Sequence, residues 1–316
     1  MTGRVVLDRD ATALDAWTAV LRAELDAMVA NESGVRAGVD PACLHDFRVA
    51  VRRSRSVLRE SKRVLPHQVI DHARRELGWL GSATSAARDL DVLVHDTLPS
   101  LVEGLDAGEL AEVDAAVRIL ERQRAAAYEE LVADLESERY ARFVEWWRAF
   151  LYAPEVGSHE TPRATEPARS VAAKRIRSVH RRLLRDGRRV TPASAPEALH
   201  ELRKDAKRLR YLLECFGSLY RRKLIAPMVK ELKALQDVLG TYQDCQVQIR
   251  RLEQVGAVLA ELGPPPVAMP EGLGRVLARL AAREQQVRSA FEERFARFCR
   301  VPIPAQHVWV EANGMT

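Results

Sequence analysis

Residues 41–58, PACLHDFRVAVRRSRSVL, return 155 positions later as PEALHELRKDAKRLRYLL over 196–213. Seven of these eighteen positions are identical: Pro41/Pro196, Leu44/Leu199, His45/His200, Arg48/Arg203, Arg53/Arg208, Arg55/Arg210 and Leu58/Leu213. Asp46/Glu201 and Arg52/Lys207 keep their charge. The offset holds well outside this window. ERYARF at 138–143 meets ERFARF at 293–298, and Arg124, Ala126, Ala127 and Glu129 meet Arg279, Ala281, Ala282 and Glu284. Glu76, Leu77, Leu80, Asp89 and Val92 meet Glu231, Leu232, Leu235, Asp244 and Val247. Any fold for this chain must accommodate two versions of one unit. Two copies of about 150 residues read as a duplicated domain, because solenoid periods run to about 20–50 residues.

Long segments carry the 3.6-residue apolar period, and period-two alternation is absent, so the expected class is all-α. The first half divides into helices near 10–31, 41–64, 67–104 with a break near Gly78–Arg88, and 108–151. The second divides into helices near 166–186, 196–216, 219–262 with a break near Gly240, and 271–299. Asp40 before Pro41 reads as an N-cap followed by proline at the first helical position, and Pro196 repeats the proline without a capping side chain. The stretch 153–167, rich in Pro, Thr and Glu, reads as a linker between a first bundle at 1–155 and a second at 156–316. GPPP at 263–266 marks a further break, and the sequence after Cys299 reads as a non-helical tail. Amphipathic helices must bury their apolar stripes, so each half is expected to form a four-helix bundle, the two related by an approximate two-fold axis.

The chain has 316 residues, enough for two cores, and 29% of them are charged. No apolar run approaches the roughly 18 residues that a membrane span needs, and the N-terminus lacks the pattern of a secretory signal. Cys43, Cys215, Cys245 and Cys299 have no metal-ligand spacing and read as reduced cytosolic thiols. The net charge is +5, carried mostly by Arg. Arg presents a planar fork of donors that grips phosphate bidentately.

At 100° per residue, His45, Arg48, Arg52, Arg55 and Arg59 fall within an arc of roughly 80° beside the apolar stripe Leu44, Phe47, Val51 and Leu58. The second copy repeats the row as His200, Arg203, Lys207 and Arg210, with Glu214 where the first has Arg59. Arg53, Lys204 and Arg208 add charge at the other edge. Cations crowded along one edge repel one another. Two such rows therefore point to a polyanionic partner. The histidine–acid pairs His45–Asp46 and His200–Glu201 invite comparison with HD-type metal-dependent phosphohydrolases, but the remaining ligands of such a site have no counterpart at suitable spacing. HExxH, GxxxxGK[ST] and Ser/His/Asp patterns are also absent. No catalytic residue, metal or cofactor is assigned.

LHDFRVAVRRSRSVL, LHELRKDAKRLRYLL and the segment LGSATSAARDLDVL at 80–93 resemble the signature segments of CHAD domains, the conserved histidine α-helical domains. The resemblance spans about 10–300. It implies two four-helix bundles around a basic groove or pore that binds inorganic polyphosphate without catalysis. By position it implies ligand-facing roles for His45, Arg48, Arg52, Arg53, Arg55, His200, Arg203, Lys207, Arg208 and Arg210. Arg88 matches the family's RD segment, although its counterpart is Gln243. Lys230 and Lys233 are additions on the neighbouring helix, while Asp89 and Asp244 are expected to orient arginines or cap a helix.

The expected function is non-catalytic polyphosphate binding in the cytoplasm, with polyphosphate granules as a destination and no membrane partner. A metal-dependent phosphohydrolase or phosphotransferase acting on polyphosphate or nucleotides is an alternative, as are a nucleic-acid-binding module and a scaffold for an acidic protein tail. Nucleic acid is disfavoured because no aromatic residues interleave the basic rows, and Tyr211 alone stands close.

Overall fold

The computed structural model describes residues 5–38, 40–155, 157, 159–262 and 269–301. The break at 263–266 and most of the tail, 302–316, lie outside the described residues. Among the described residues there are nine α-helices and no strand: α1 (Ala13–Ala37), α2 (Pro41–Arg59), α3 (His67–Asp91), α4 (Ala107–Glu136), α5 (Glu138–Tyr152), α6 (Ala168–Gly187), α7 (Pro196–Cys215), α8 (Arg222–Leu262) and α9 (Glu271–Cys299). Helices α1, α2 and α3 begin at 13, 41 and 67, and α6, α7 and α8 begin 155 residues later at 168, 196 and 222.

Local chemistry sets these boundaries. Thr12 Oγ1 accepts from Asp15 N at the start of α1, and Gly38, at φ 64°, closes it in the left-handed conformation that glycine adopts without strain. Asp40 Oδ1 accepts from Ala42 N ahead of Pro41, as expected. Ala195 offers no side-chain cap to α7. At α4 the Asp106 carboxylate accepts from Gly108 N and Glu109 N, while Glu109 Oε2 accepts from Asp106 N, a reciprocal capping box.

Three expected boundaries are corrected. Helix α3 runs unbroken through Gly78 and Gly81, because Leu77, Leu80, Thr84 and Ala87 form a continuous buried stripe across them. Each glycine costs about 1 kcal/mol relative to alanine, less than the burial of that stripe returns. The irregularity comes later, as a π-helical turn at Val92–Thr97 and a 3₁₀ turn at Leu98–Ser100. The single helix expected over 108–151 is two, since Ser137 is extended at ψ 148° and its Oγ caps α5 by accepting from Tyr140 N. The first half therefore has five α-helices where four were expected. Gly240 does not interrupt α8, which continues for 41 residues.

Helix α1 packs on α2 and α5, α2 on α3, and α3 on α4; in the second half α6 packs on α7, α7 on α8, and α8 on α9. Between the halves α1 meets α6, α2 meets α7, and α4 meets both α8 and α9. The buried apolar side chains form one continuous core rather than two. Trp17 of α1 and Phe216 after α7 pack across the halves with ring centroids 4.2 Å apart and planes tilted by 36°. Thr12 and Pro167, themselves 155 apart, form an antiparallel bridge in which Ala13 N donates to Glu166 O and Ala168 N to Ala11 O. The linker is packed rather than loose: Thr161 and Ala164 are buried, and Arg163 N donates to Arg63 O.

Candidate functional site

The buried stripe of α2, Leu44, Phe47, Val51 and Leu58, fixes which way its polar edge points. Arg48 and Arg52 are half-buried on that edge, while His45, Arg55 and Arg59 are exposed. Arg48 Nη1 donates to Thr84 Oγ1 at 3.1 Å and to Ser85 Oγ at 3.2 Å on α3. Both hydroxyls donate their own hydrogens to carbonyls of α3, Thr84 to Leu80 O and Ser85 to Gly81 O, which leaves their lone pairs facing Arg48. The arginine is thus held by neutral acceptors that do not cancel its charge. Burial, with Arg52 adjacent, pushes Arg48 down to about 10.

Helix α7 supplies the matching edge. Arg203 Nη2 lies 3.4 Å from Asp244 Oδ1 on α8, and His200 Nδ1 donates to Gln243 Oε1 at 2.7 Å. Lys207 is half-buried between Arg203, Arg210 and Arg52, and burial followed by those charges pushes its ammonium down to about 7. Arg210 rests over the ring of the buried Tyr211 and lies 3.4 Å from Glu214.

Arg52 joins the two edges. Its charge depresses His45, Arg48 and Arg55 on its own helix and also Arg203 and Lys207 on α7. Asp89 stands close enough to feel the charge of Asp244: burial and then Asp244 raise Asp89, against the lowering influence of Arg48, Arg52 and Arg203. Among the described residues no carboxylate lies within ion-pair distance of Arg48, Arg52, Arg55 or Lys207. The Nε donors of Arg48, Arg52, Arg203 and Arg210 are buried without a partner. Unpaired buried donors and charges are costly, and they accumulate here on four side chains from both halves. His45, exposed yet partly desolvated, is lowered by that partial desolvation, then by Arg88 and Arg52.

Not every basic residue of the two helices joins this cluster. Arg53 pairs with Glu214 at 3.0 Å and Glu24 at 3.7 Å, and its counterpart Arg208, 5% exposed, pairs with Glu60 at 3.4 Å and Asp205 at 3.2 Å. Both are turned into contacts between the halves. Lys204 is bound to Glu201, and Arg88 lies 3.8 Å from Asp96. Lys230 and Lys233 are exposed on α8; Lys233 falls about 20° from Asp244 on the helical wheel, and Lys230 about 40°.

Three contributors lay outside the sequence reading. Thr84 and Ser85 gave no signal beyond being small and polar, and Arg74, whose charge lowers Arg55, lies near the start of a helix from which only Arg88 and Asp89 were singled out for the site. Gly81 makes room for the row, since a Cβ there would come within 2.8 Å of Arg55 Nη1. Among the described residues no three His, Cys, Asp or Glu side chains are grouped to hold a metal, and no helix is long and apolar enough to cross a membrane.

The model of the CHAD domain family matches residues 19–253. The crystal structure of the CHAD domain from the plant Ricinus communis is 31% identical and superposes with a TM-score of 0.77, covering 96% of this chain and 97% of that one. PptA from Streptomyces chartreusis, 15% identical, shares the fold at a TM-score of 0.68 over 90% of this chain and 100% of its own. Uncharacterised proteins from two strains of Mycobacterium tuberculosis are 29% identical over 238 residues, which is 73% of this chain and 44% of theirs. The chain thus spans less than half the length of these curated relatives.

Proposed function

The chain belongs to the CHAD domain family, and on that premise we propose that it binds inorganic polyphosphate, without catalysis, along a groove between α2 and α7. The observation that carries this reading is the set of cations without carboxylate partners: Arg48, Arg52, Arg55 and Lys207, drawn from both halves, with buried guanidinium donors left unpaired. Phosphate oxygens would satisfy those donors bidentately and restore the charge of Lys207. A linear polymer supplies them at many successive positions and needs no stacking platform. Tyr211, the aromatic beside the row, is buried under Arg210 and offers none to a base.

The two halves descend, in this reading, from one duplicated unit and sit about a pseudo-two-fold axis. The bridge between the equivalent residues Thr12 and Pro167 and the contacts α1 to α6 and α2 to α7 support it. Bundles at 1–155 and 156–316 then act as one module, because a shared core and the Arg53 and Arg208 ion pairs join them. A cytoplasmic protein of this kind would gather on polyphosphate granules.

The test is a titration with long-chain polyphosphate at about 150 mM salt, in the range where surface charge is screened beyond roughly 8 Å, competed by duplex DNA, RNA and ATP. Polyphosphate should bind tightly and resist the competitors, and Arg48→Ala/Arg203→Ala should abolish binding while remaining folded. Equal displacement by every polyanion would reduce the rows to an unspecific electrostatic patch. Release of phosphate on incubation with Mg²⁺ or Mn²⁺ would turn the reading to a hydrolase.

A further inference from the structure

Helix α6 carries a second row of cations that the repeat does not share. Between Lys174 and Arg189 stand eight Lys or Arg residues and one carboxylate, Asp186. At 100° per residue Lys174, Arg177, Arg181, Arg185 and Arg188 fall within an arc of about 80°, and the row is about 21 Å long. The opposite face, Ala172, Ile176, Val179 and Leu183, is buried, so this row is turned outward, and Lys174, Arg181, Arg185 and Arg188 are exposed. Lys174 lies 3.5 Å from Glu166 and Arg185 2.9 Å from Asp186. Among the described residues Arg181 and Arg188 have no ion pair.

The row is not a by-product of the fold. At the equivalent positions of α1 stand Ala19, Arg22, Asp26, Ala30 and Ser33, on a helix that occupies the same place in the first half. It also looks away from the first site. Helix α6 meets the side of α7 that carries Asp205 and Arg208, with Arg182 Nε 2.8 Å from Asp205 Oδ2. On the α7 wheel that side lies roughly 160° from Arg203, Lys207 and Arg210.

The chemistry of the row selects its partner. The large apolar side chains exposed among the described residues, Val6, Leu110, Tyr152, Val258 and Met269, all lie off α6, so the helix lacks the apolar face of an interfacial membrane helix. It has no aromatic residue to stack a base. What it offers is a straight ladder of one ammonium and four guanidinium groups, suited to successive phosphates on a chain.

We infer that the α6 row is a second binding site for a linear phosphate polymer, so that one protein holds two polymer segments at once. This rests on the polyphosphate reading of the first site. Two sites facing different directions raise avidity on one long polymer and crosslink separate ones.

The test compares wild type, Arg181→Gln/Arg185→Gln/Arg188→Gln and Arg48→Ala/Arg203→Ala as full chains. Each is titrated with a short inorganic polyphosphate of defined length, and with long-chain polyphosphate followed by light scattering. Wild type should bind two short chains and each variant one. The triple variant should keep the affinity of its remaining site within about twofold, as expected for separated sites. Long polyphosphate should form scattering assemblies with wild type and with neither variant. The inference is overturned, and the first-site reading stands, if wild type binds one short chain that the double variant loses and the triple variant keeps. It is also overturned if duplex DNA displaces the second chain at equal phosphate concentration. Binding unaffected by the double variant would instead defeat the first-site reading.

Discussion

The Arg53 guanidinium lies 3.0 Å from Glu214 Oε2, tying α2 of the first half to α7 of the second. Its counterpart Arg208 lies 3.4 Å from Glu60 and makes the reciprocal tie. Among the basic residues of the repeated helix, Arg53 and Arg208 join the halves, whereas Arg48, Arg52, Arg55 and Lys207 have no carboxylate partner among the described residues. The two groups call for opposite behaviour on substitution.

Removing Arg53 leaves Glu24 and Glu214 in a closed interface without their shared partner. Arg53→Ala is expected to destabilise the fold by about 2 kcal/mol, between the values for exposed and buried pairs. Denaturant midpoints check this. The salt dependence of polyphosphate binding by the folded variant should match that of wild type.

Arg48 and Lys207 should behave in the reverse way. Both are half-buried charges without carboxylate partners, so Arg48→Met and Lys207→Met are expected to leave the melting temperature unchanged or raise it while weakening polyphosphate binding. For Arg48→Met the slope of log K against log salt should become shallower by about 0.7–0.9, the contribution of one released counterion. A lower melting temperature for both variants would show that these cations stabilise the fold.

Protonation gives a third expectation. Burial pushes Glu24 and Glu60 up to about 7. Between the ordinary glutamate value of 4.5 and 7 the folded state binds more protons than the unfolded, so this contribution to stability falls as pH rises. Lys207, lowered from 10.5 to about 7, acts oppositely: from 7 to 10.5 the unfolded state binds more protons, and stability rises with pH. Together they contribute a minimum near neutrality. Glu60→Gln should flatten its acid limb and Lys207→Met its alkaline limb in chemical denaturation across pH. Polyphosphate recharges Lys207, so binding near pH 8 should take up to about one proton, measurable as a buffer-dependent binding enthalpy.

Gly81 separates stability from function. Alanine there should gain up to about 1 kcal/mol of helix propensity. Its Cβ would also displace the Arg55 guanidinium, which is the mobile end of a flexible side chain. Gly81→Ala is expected to be at least as stable as wild type and to bind polyphosphate more weakly.

The helix starts and the two basic rows were legible in the sequence because the repeat wrote them twice, and Asp40 with Pro41 carries its own start signal. The breaks were not. Glycines at 78, 81 and 240 look like interruptions until the stripe Leu77, Leu80, Thr84 and Ala87 is seen to be buried across the first two. The division of the rows was illegible for a similar reason. Periodicity puts Arg53 and Arg208 at the edge of their helices, but the carboxylates that claim them, Glu214 and Glu60, come from the other half of the chain. The α6 row had a plain signal, the run of cations over 174–189, which has no counterpart in the first copy of the repeat.

The most direct measurement is a crystal structure of the full chain with a short polyphosphate. Phosphate oxygens are expected within hydrogen-bond distance of Arg48 and Arg52 on one side and Arg203 and Lys207 on the other, with Arg53 and Arg208 still paired to Glu214 and Glu60. A polymer bound elsewhere, with the Nε groups of Arg48 and Arg52 still unpaired, would contradict this placement of the site.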